Sequence, residues 1–581
     1  MTLPLFPHSL LPIVFHRVYP FLLVLLSWFV VPLMAAQTET TPSDRYRQAK
    51  VDSVFRKWDN PTSPGCELGI IRNGEFVYLH GYGMADIDRR IPITSTTVFN
   101  IASLSKQFTA ASLVLLSQQG KLSLDDDVRK YIPELPDYGK PITIRKLLNH
   151  TSGIRDYVQM MFLAGSRYGT LTKNADALKM IVRQKALNFT PGDEWLYSNS
   201  GYVLASLIVE RVSGESLGAF ERENIFEPLG MNNTSVVNDH NLVIAQRALG
   251  YGPGLKGSFQ EMVTNWENTG DGGVHSTVGD LLRWDRNFYD PKLGGKGMIE
   301  QLVTPGRLND GTVLQYALGL GVREYKGLKV VNHEGEWAGY RAEFMRFPDQ
   351  HFSIIILCNL STMVPLQLAE RVADICLAGE MRKTQQERGD TSSAEKTVRY
   401  SIDELSRYGG LYRSPADELV RGVVVKDGKL LYVRGANNVT ELVPLGNDRF
   451  LMKGIPVETN VIFTRSSPGS VSGMQIVTKG TKPIIFEAFI SVVPSPELLG
   501  HYAGVYRSDE LGVDYRVFVR DSSLFMHTTY PDDDHLVPTV PDVFKVEDAG
   551  VVRFSRSDGH SVVGFSFTFG KVRNIKFVRT H

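Results

Sequence analysis

The chain has 581 residues, with 63 basic and 63 acidic side chains. That length exceeds one ordinary hydrophobic core and sets an expectation of about two to four domains. A balanced charge gives no electrostatic ground for binding nucleic acid or an anionic membrane. The three cysteines, Cys66, Cys358 and Cys376, lack metal-ligand spacing and are too few for a disulfide scaffold. They read as buried thiols, with a Cys66–Cys358 bridge as the alternative because both lie in strand-like runs.

The N-terminus carries an apolar run, Val18 to Met34, preceded by His16 and Arg17 and followed by the small residues Ala35 and Ala36. This pattern reads as a secretory signal over residues 1–36, so the working part is expected in the periplasm or outside the cell. An uncleaved anchor is the alternative, and it is the single membrane contact the sequence suggests. Residues 66–78 (CELGIIRNGEFVY) form two short strand patterns around Asn73-Gly74, a hairpin signal. Helical spacing then dominates to about Trp284. Strand patterns return over Tyr340 to Leu360, broken by a Pro348-Asp349 turn, and Val364 to Leu377 reads as a closing helix. Strands at both ends with helices between them predict an α/β (α+β) domain over 37–380: an antiparallel sheet flanked by helices, with a helical subdomain.

Residues 379–396 are polar and nearly free of apolar side chains, so 381–399 is expected to be a linker. The remainder is strand-rich and repeats itself. Tyr408-Gly-Gly-Leu-Tyr-Arg-Ser414 recurs as Tyr502-Ala-Gly-Val-Tyr-Arg-Ser508. Leu442-Val-Pro444 recurs as Leu536-Val-Pro538, and Phe450 as Phe544, at a common offset of 94. Two homologous all-β domains are therefore expected, 400–492 and 495–581. Each has room for about eight short strands, enough for a small closed barrel of lipocalin-like size.

Chemistry concentrates in three places. Ser103 and Lys106 open the apolar segment Asn100–Gly120. At i and i+3 of a helix they share one face, so an amine with a lowered pKa can take the serine proton. Burial at a helix N-terminus lowers a lysine pKa, and the same terminus offers N–H groups to an oxyanion. Tyr197-Ser198-Asn199 lies between a Pro-Gly turn and an apolar helix pattern; its tyrosine is a second candidate proton acceptor and its amide a candidate substrate contact. His333-Glu334-Gly335 opens a strand, and Gly335 allows close approach to a backbone whose next N–H, on Glu336, is a candidate oxyanion donor.

Together these elements resemble the serine β-lactamases and penicillin-binding proteins, whose signature includes Ser-x-x-Lys. The Tyr-x-Asn element is similar to that of the class C β-lactamase-like hydrolases. Leu147 to Tyr157 (LLNHTSGIRDY) and Gly270 to Trp284 (GDGGVHSTVGDLLRW) also resemble family sequence, and the likeness covers about residues 45–380. The resemblance implies Ser103 as nucleophile, Lys106 and Tyr197 sharing the general-base role, Asn199 orienting the substrate, and the Ser103 and Glu336 N–H groups as oxyanion hole. No cofactor and no metal is implied, and the partner is a small-molecule or peptide substrate; a homodimer is an open possibility.

Where many relatives carry Lys-Thr-Gly, this chain carries His333-Glu334-Gly335. A histidine near its reference pKa is mostly neutral at pH 7, so the fixed cation that helps bind a substrate carboxylate is missing. That weighs against β-lactamase and D-Ala carboxypeptidase activity. His-x-Gly with two trailing β-domains is similar to the D-aminopeptidase branch. The expected function is acyl-enzyme hydrolysis of amide or ester bonds in small peptides, D-amino-acid compounds or cell-wall fragments. The alternative is a penicillin-binding or ligand-sensing protein that acylates without efficient turnover. Gly214-Glu-Ser216-Leu-Gly218 matches a nucleophile-elbow pattern but follows helical spacing, so Ser216 reads as a loop or cap residue. Ser105, His275, Asp125–Asp127 and Asp532–Asp534 are read as structural.

Overall fold

The computed structural model describes residues 42–381 and 398–580, apart from 417, 436–437, 455–458, 468, 479–481 and 547–549. The expected signal segment and nearly all of the expected linker lie outside the described residues.

The first domain is built on a six-stranded, wholly antiparallel sheet. Its order is Gly321–Tyr325, Leu328–Trp337, Tyr340–Phe347, Phe352–Cys358, Cys66–Arg72, Glu75–Tyr82. The N-terminal hairpin and the late strands thus join in one sheet although about 250 residues separate them. Successive side chains on a strand face opposite ways, and both faces are covered. On one face Leu68, Ile70, Ile354 and Ile356 pack against Val51 and Phe55 near the start and against Ala369 and Val372 of the Pro365–Cys376 helix. On the other, Phe344, Ile355 and Leu357 meet Leu104, Phe108 and Trp284 of the helical half. Burial on both faces explains why Phe352–Cys358 reads as a continuous apolar run rather than an alternating one.

Cys66 and Cys358 sit directly opposite each other on paired strands, both as buried free thiols. Burial, with Cys66 as neighbour, pushes the Cys358 thiol well above its ordinary value. Cys376 departs from the buried-thiol reading: it ends its helix and is half-exposed.

Two closed eight-stranded barrels follow, both antiparallel. In the first, Gly410–Arg413 closes onto Ile484–Phe489; in the second, Gly504–Ser508 closes onto Val572–Arg579. The sequence repeat ties down the entry segment of each barrel. Tyr412 Oη donates to the Tyr408 carbonyl at 2.7 Å, and Tyr506 repeats this with Tyr502 at 2.6 Å. Tyr408 donates to Asp448, which Arg465 grips; Tyr502 donates to Asp542, which Arg556 grips. The first barrel has its own apolar core. The core of the second runs into that of the catalytic half, and Tyr515 Oη reaches the Leu163 carbonyl at 2.8 Å. Among the described residues no helix is long and apolar enough to cross a membrane.

Candidate active site

The segment Asn100–Gly120 is not one uniform helix. Ala102–Ser105 forms a single 3₁₀ turn before the α-helix Lys106–Gln118 begins. Asn100 Oδ1 accepts the Ala102 N–H at 2.8 Å, holding Ala102 at φ 48, a left-handed value that an L residue seldom takes. This tight entry leaves Ser103 half-buried at the cleft while Leu104, Ser105 and Lys106 are buried. Ser105 is fully committed: its hydroxyl donates to the Ala102 carbonyl at 2.6 Å and accepts the Val274 N–H at 3.1 Å.

Lys106 Nζ stands 3.0 Å from Ser103 Oγ, 2.9 Å from Asn199 Oδ1 and 2.7 Å from the Asp271 carbonyl oxygen. The last two can only accept. A neutral amine has two N–H bonds, which these acceptors claim, and its lone pair is left facing Ser103. Burial pulls the Lys106 pKa down to about 7, with Lys571 adding to the drop while Asp271 and Asp156 oppose it. The buried Asp271 carboxyl is pushed up to about 6 and accepts from Tyr157 Oη at 3.1 Å.

Tyr197 packs over this group, with Lys106 Nζ 5.0 Å from its ring centre. Burial raises its phenol well above the ordinary range, although a hydrogen bond with Ser103 pulls the other way. Electrostatics therefore separate Lys106 and Tyr197, which the sequence left as equals. At neutral pH the amine can be free of its proton, and the phenol keeps its own. Asn199 starts the helix Asn199–Ser213, and its N–H is fixed by Asp156 Oδ2 at 2.7 Å.

His333 lies on the Leu328–Trp337 strand. Its Nδ1 is 2.6 Å from the Glu334 carbonyl and must donate; its Nε2, 2.8 Å from Tyr316 Oη, then accepts. Burial first, and Lys106 second, lower its pKa to about 3, so it is a neutral ring throughout the physiological range. The neighbouring strand Gly321–Tyr325 pairs only with residues 328–332. From 333 to 337 the strand edge is thus left to the Ser103 turn. Gly335 makes that approach possible: a Cβ there would stand 2.4 Å from the Ile101 carbonyl oxygen. Glu336 turns its carboxylate to Arg341 at 2.8 Å. Gly335→Ala is expected to lower stability by about 1–3 kcal/mol and to slow acylation, as a thermal melt paired with a rate measurement will show.

Sequence reasoning missed Asp271, His150, Tyr316 and Lys571. His150 is buried beneath Tyr197, ring centres 4.2 Å apart, and accepts the Ser198 N–H at 3.2 Å. All seven residues singled out in the sequence converge here, and Ser103, Tyr197, Asn199, His333, Gly335 and Glu336 line one cavity of about 1330 Å³. The other candidates lie in structural roles. Ser216 caps the Leu217–Glu221 helix by accepting the Ala219 N–H. Asp125, Asp126 and Asp533 are held by Arg145, Lys130 and Arg520. Buried His275 pairs across a short sheet with Asn100. Asp239, His240 and Glu267 bring ligand atoms within 4.8 Å of one another, but Glu267 is already engaged by Lys173 Nζ at 3.1 Å and by His240 Nδ1 at 2.7 Å.

The β-lactamase family model matches residues 51–377. A penicillin-binding protein of Bacillus subtilis (strain 168) is 31 % identical over 402 residues, covering 66 % of this chain and 87 % of that protein. The D-aminopeptidase of Brucella anthropi is 29 % identical over 301 residues, and the match spans only 57 % of its length. Among solved structures, an octameric penicillin-binding protein homologue from Pyrococcus abyssi superposes with a TM-score of 0.53 at 23 % identity, over 76 % of this chain and 99 % of that one. With a sheet, a helical half and a serine–lysine pair already in place, these matches identify the chain as a serine hydrolase belonging to the β-lactamase family.

Proposed function

We propose that the protein is an exported hydrolase that cleaves amide or ester bonds of small D-amino-acid compounds or peptides through an acyl-enzyme on Ser103. The observation that carries this reading is the Lys106 amine, which two carbonyl acceptors orient so that its third position meets Ser103 Oγ at 3.0 Å. As Ser103 Oγ bonds to the scissile carbonyl carbon, its proton passes to Lys106 Nζ. The negative charge on the carbonyl oxygen is met by the Ser103 and Glu336 N–H groups. The proton then returns through the Tyr197 hydroxyl to the departing amine or alkoxide, and the carbon–leaving-group bond breaks. Because Asn199 Oδ1 is occupied by Lys106, its NH₂ is the part free to position the acyl chain. Water then bonds to the ester carbon, giving a proton to Lys106 Nζ; the bond from that carbon to Ser103 Oγ breaks, Lys106 returns the proton to Oγ, and the acid leaves.

The relatives named D-aminopeptidase favour a D-amino-acid substrate, and the N-terminal apolar run favours export. Neutral His333 supplies no cation from the third motif itself.

The test is intact-mass spectrometry of the purified protein after exposure to a fluorophosphonate probe, with peptide mapping of the product. One adduct on Ser103 is expected. An unmodified, well-folded protein, or an adduct elsewhere, would overturn the reading.

A further inference from the structure

The cavity that holds Ser103 is also lined from outside its own domain, by first-barrel residues that include Arg421 and Arg434 and by one residue of the second barrel, Lys571. Lys571 occupies the turn between the strands Ser561–Phe569 and Val572–Arg579 of the second barrel. Its Nζ lies 4.7 Å from the Tyr197 ring centre, and it lines the same cavity as Ser103. With Lys106 5.0 Å from that ring, the two side-chain nitrogens fall within about 10 Å of each other.

The placement is built rather than incidental. The Lys571 N–H donates to Gln159 Oε1 at 2.5 Å, and its carbonyl accepts from Asn188 Nδ2 at 2.9 Å. The Arg573 N–H returns to Asn188 Oδ1 at 2.8 Å. Arg155 donates to the Arg573 and Asn574 carbonyls at 2.9 and 3.1 Å. Gly570 takes φ +55, and any Cβ there would strike Gln159. Three side chains of the first domain, Gln159, Asn188 and Arg155, thus fix the tip of this hairpin while the Lys571 side chain stays in the cavity. Among the described residues no carboxylate pairs with Lys571. Of the arginines in the cavity wall, Arg323 is matched to Glu370 at 3.0 Å and Arg341 to Glu336 at 2.8 Å, whereas Arg247, Arg421 and Arg434 have no carboxylate partner among the described residues; of the unmatched cations, Lys571 is the one held against Tyr197.

We propose that Lys571 is the substrate-anion site of this enzyme: the second barrel supplies, from another domain, a cation that binds a carboxylate of the substrate beside the scissile bond. This rests on the serine-hydrolase reading above and narrows its substrates to acyl compounds or peptides that bear a free carboxylate. It also accounts for a third motif without lysine, since His333 is uncharged. A compact ammonium on a flexible stem suits a point-charge contact with a carboxylate. A cation held in a partly desolvated cleft attracts an anion more strongly than one in bulk water.

The experiment compares two activated esters of matched shape, 4-nitrophenyl hydrogen succinate and its neutral methyl ester, by nitrophenolate release on the full chain. Rates are read on the alkaline plateau, so that altered protonation of Lys106 does not enter. The wild type is expected to prefer the anionic ester by about tenfold or more. Lys571→Met should remove that preference, bringing the ratio of the two rates to about one whatever loss the two esters share. Lys571→Arg should retain it, and Lys571→Glu should reverse it. Equal loss on both esters in Lys571→Met, or a wild type without preference, overturns the proposal but leaves the hydrolase reading standing. Failure of wild-type protein to hydrolyse either ester or to take the fluorophosphonate on Ser103 overturns both.

Discussion

Lys106→Met is expected to slow acylation of Ser103 by about 10²- to 10⁴-fold, while Ser103→Ala removes the acyl-enzyme altogether. A nucleophile and its base act as a unit, so removing either forfeits most of their joint effect. The methionine fills similar volume, which keeps the buried helix start packed. The pH profile is the sharper signature. Acylation needs the neutral amine, whose pKa burial lowers from the ordinary 10.5 to about 7. The rate should therefore rise with pH through about 7 and level off above it. The charges around the amine set the sign of each shift. Asp271 and Asp156 favour the ammonium, so Asp271→Asn should move the midpoint to lower pH. Lys571 disfavours it, so Lys571→Met should move the midpoint to higher pH. Neutral His333 and the protonated phenol of Tyr197 carry no charge in this range. A profile of kcat/KM against pH for the three proteins decides the matter; a midpoint near the ordinary lysine value would refute Lys106 as the base.

How much of this was legible depended on how local the information was. Ser103 and Lys106 are three residues apart, and helical geometry alone puts them on one face. Tyr197 and Asn199 flank a helix start, and Gly335 sits in a strand, so each announced itself within a few residues. The barrels were legible for a similar reason: Tyr408, Tyr412 and Phe450 recur as Tyr502, Tyr506 and Phe544, and each barrel uses them in its entry segment and core. What stayed hidden came from long-range packing. The third partner of Lys106 is the Asp271 main-chain carbonyl, and a carbonyl has no residue-type signature. The tight turn at Ala102 was hidden because its positive φ sits on an alanine instead of a glycine. The assignment of base between Lys106 and Tyr197 required burial and neighbouring charges, which no spacing encodes. Lys571 looks in the sequence like any residue of a Gly-Lys hairpin turn. Its meaning appears only once the second barrel sits against the catalytic half.

The residue that sets that contact is Arg155, and Arg155→Leu carries the largest expected loss of stability. Arg155 lies within the quoted segment Leu147–Tyr157, yet it faces the barrel rather than the nucleophile. Its guanidinium is 1 % exposed and meets Glu510 Oε1 at 2.6 Å, a carboxylate that is itself buried. It also reaches Gln184 Oε1 at 2.9 Å and the two hairpin carbonyls. Removing one partner of a buried ion pair strands the other charge, at a cost of about 3–5 kcal/mol. Glu510 would keep the Lys185 and Lys576 N–H groups but lose its counter-charge. The double variant Arg155→Leu/Glu510→Leu should then be less damaged than the sum of the singles, because it leaves no charge of the pair buried and unmatched, as each single does. Urea melts of the four proteins measure this coupling, and a single-variant loss below about 1 kcal/mol would refute it. Loosening the hairpin should also withdraw Lys571, so Arg155→Leu protein that remains folded should still take the fluorophosphonate on Ser103 but lose its preference for the anionic ester. Stability of the barrel contact and selectivity of the cleft are then two readings of one buried arginine.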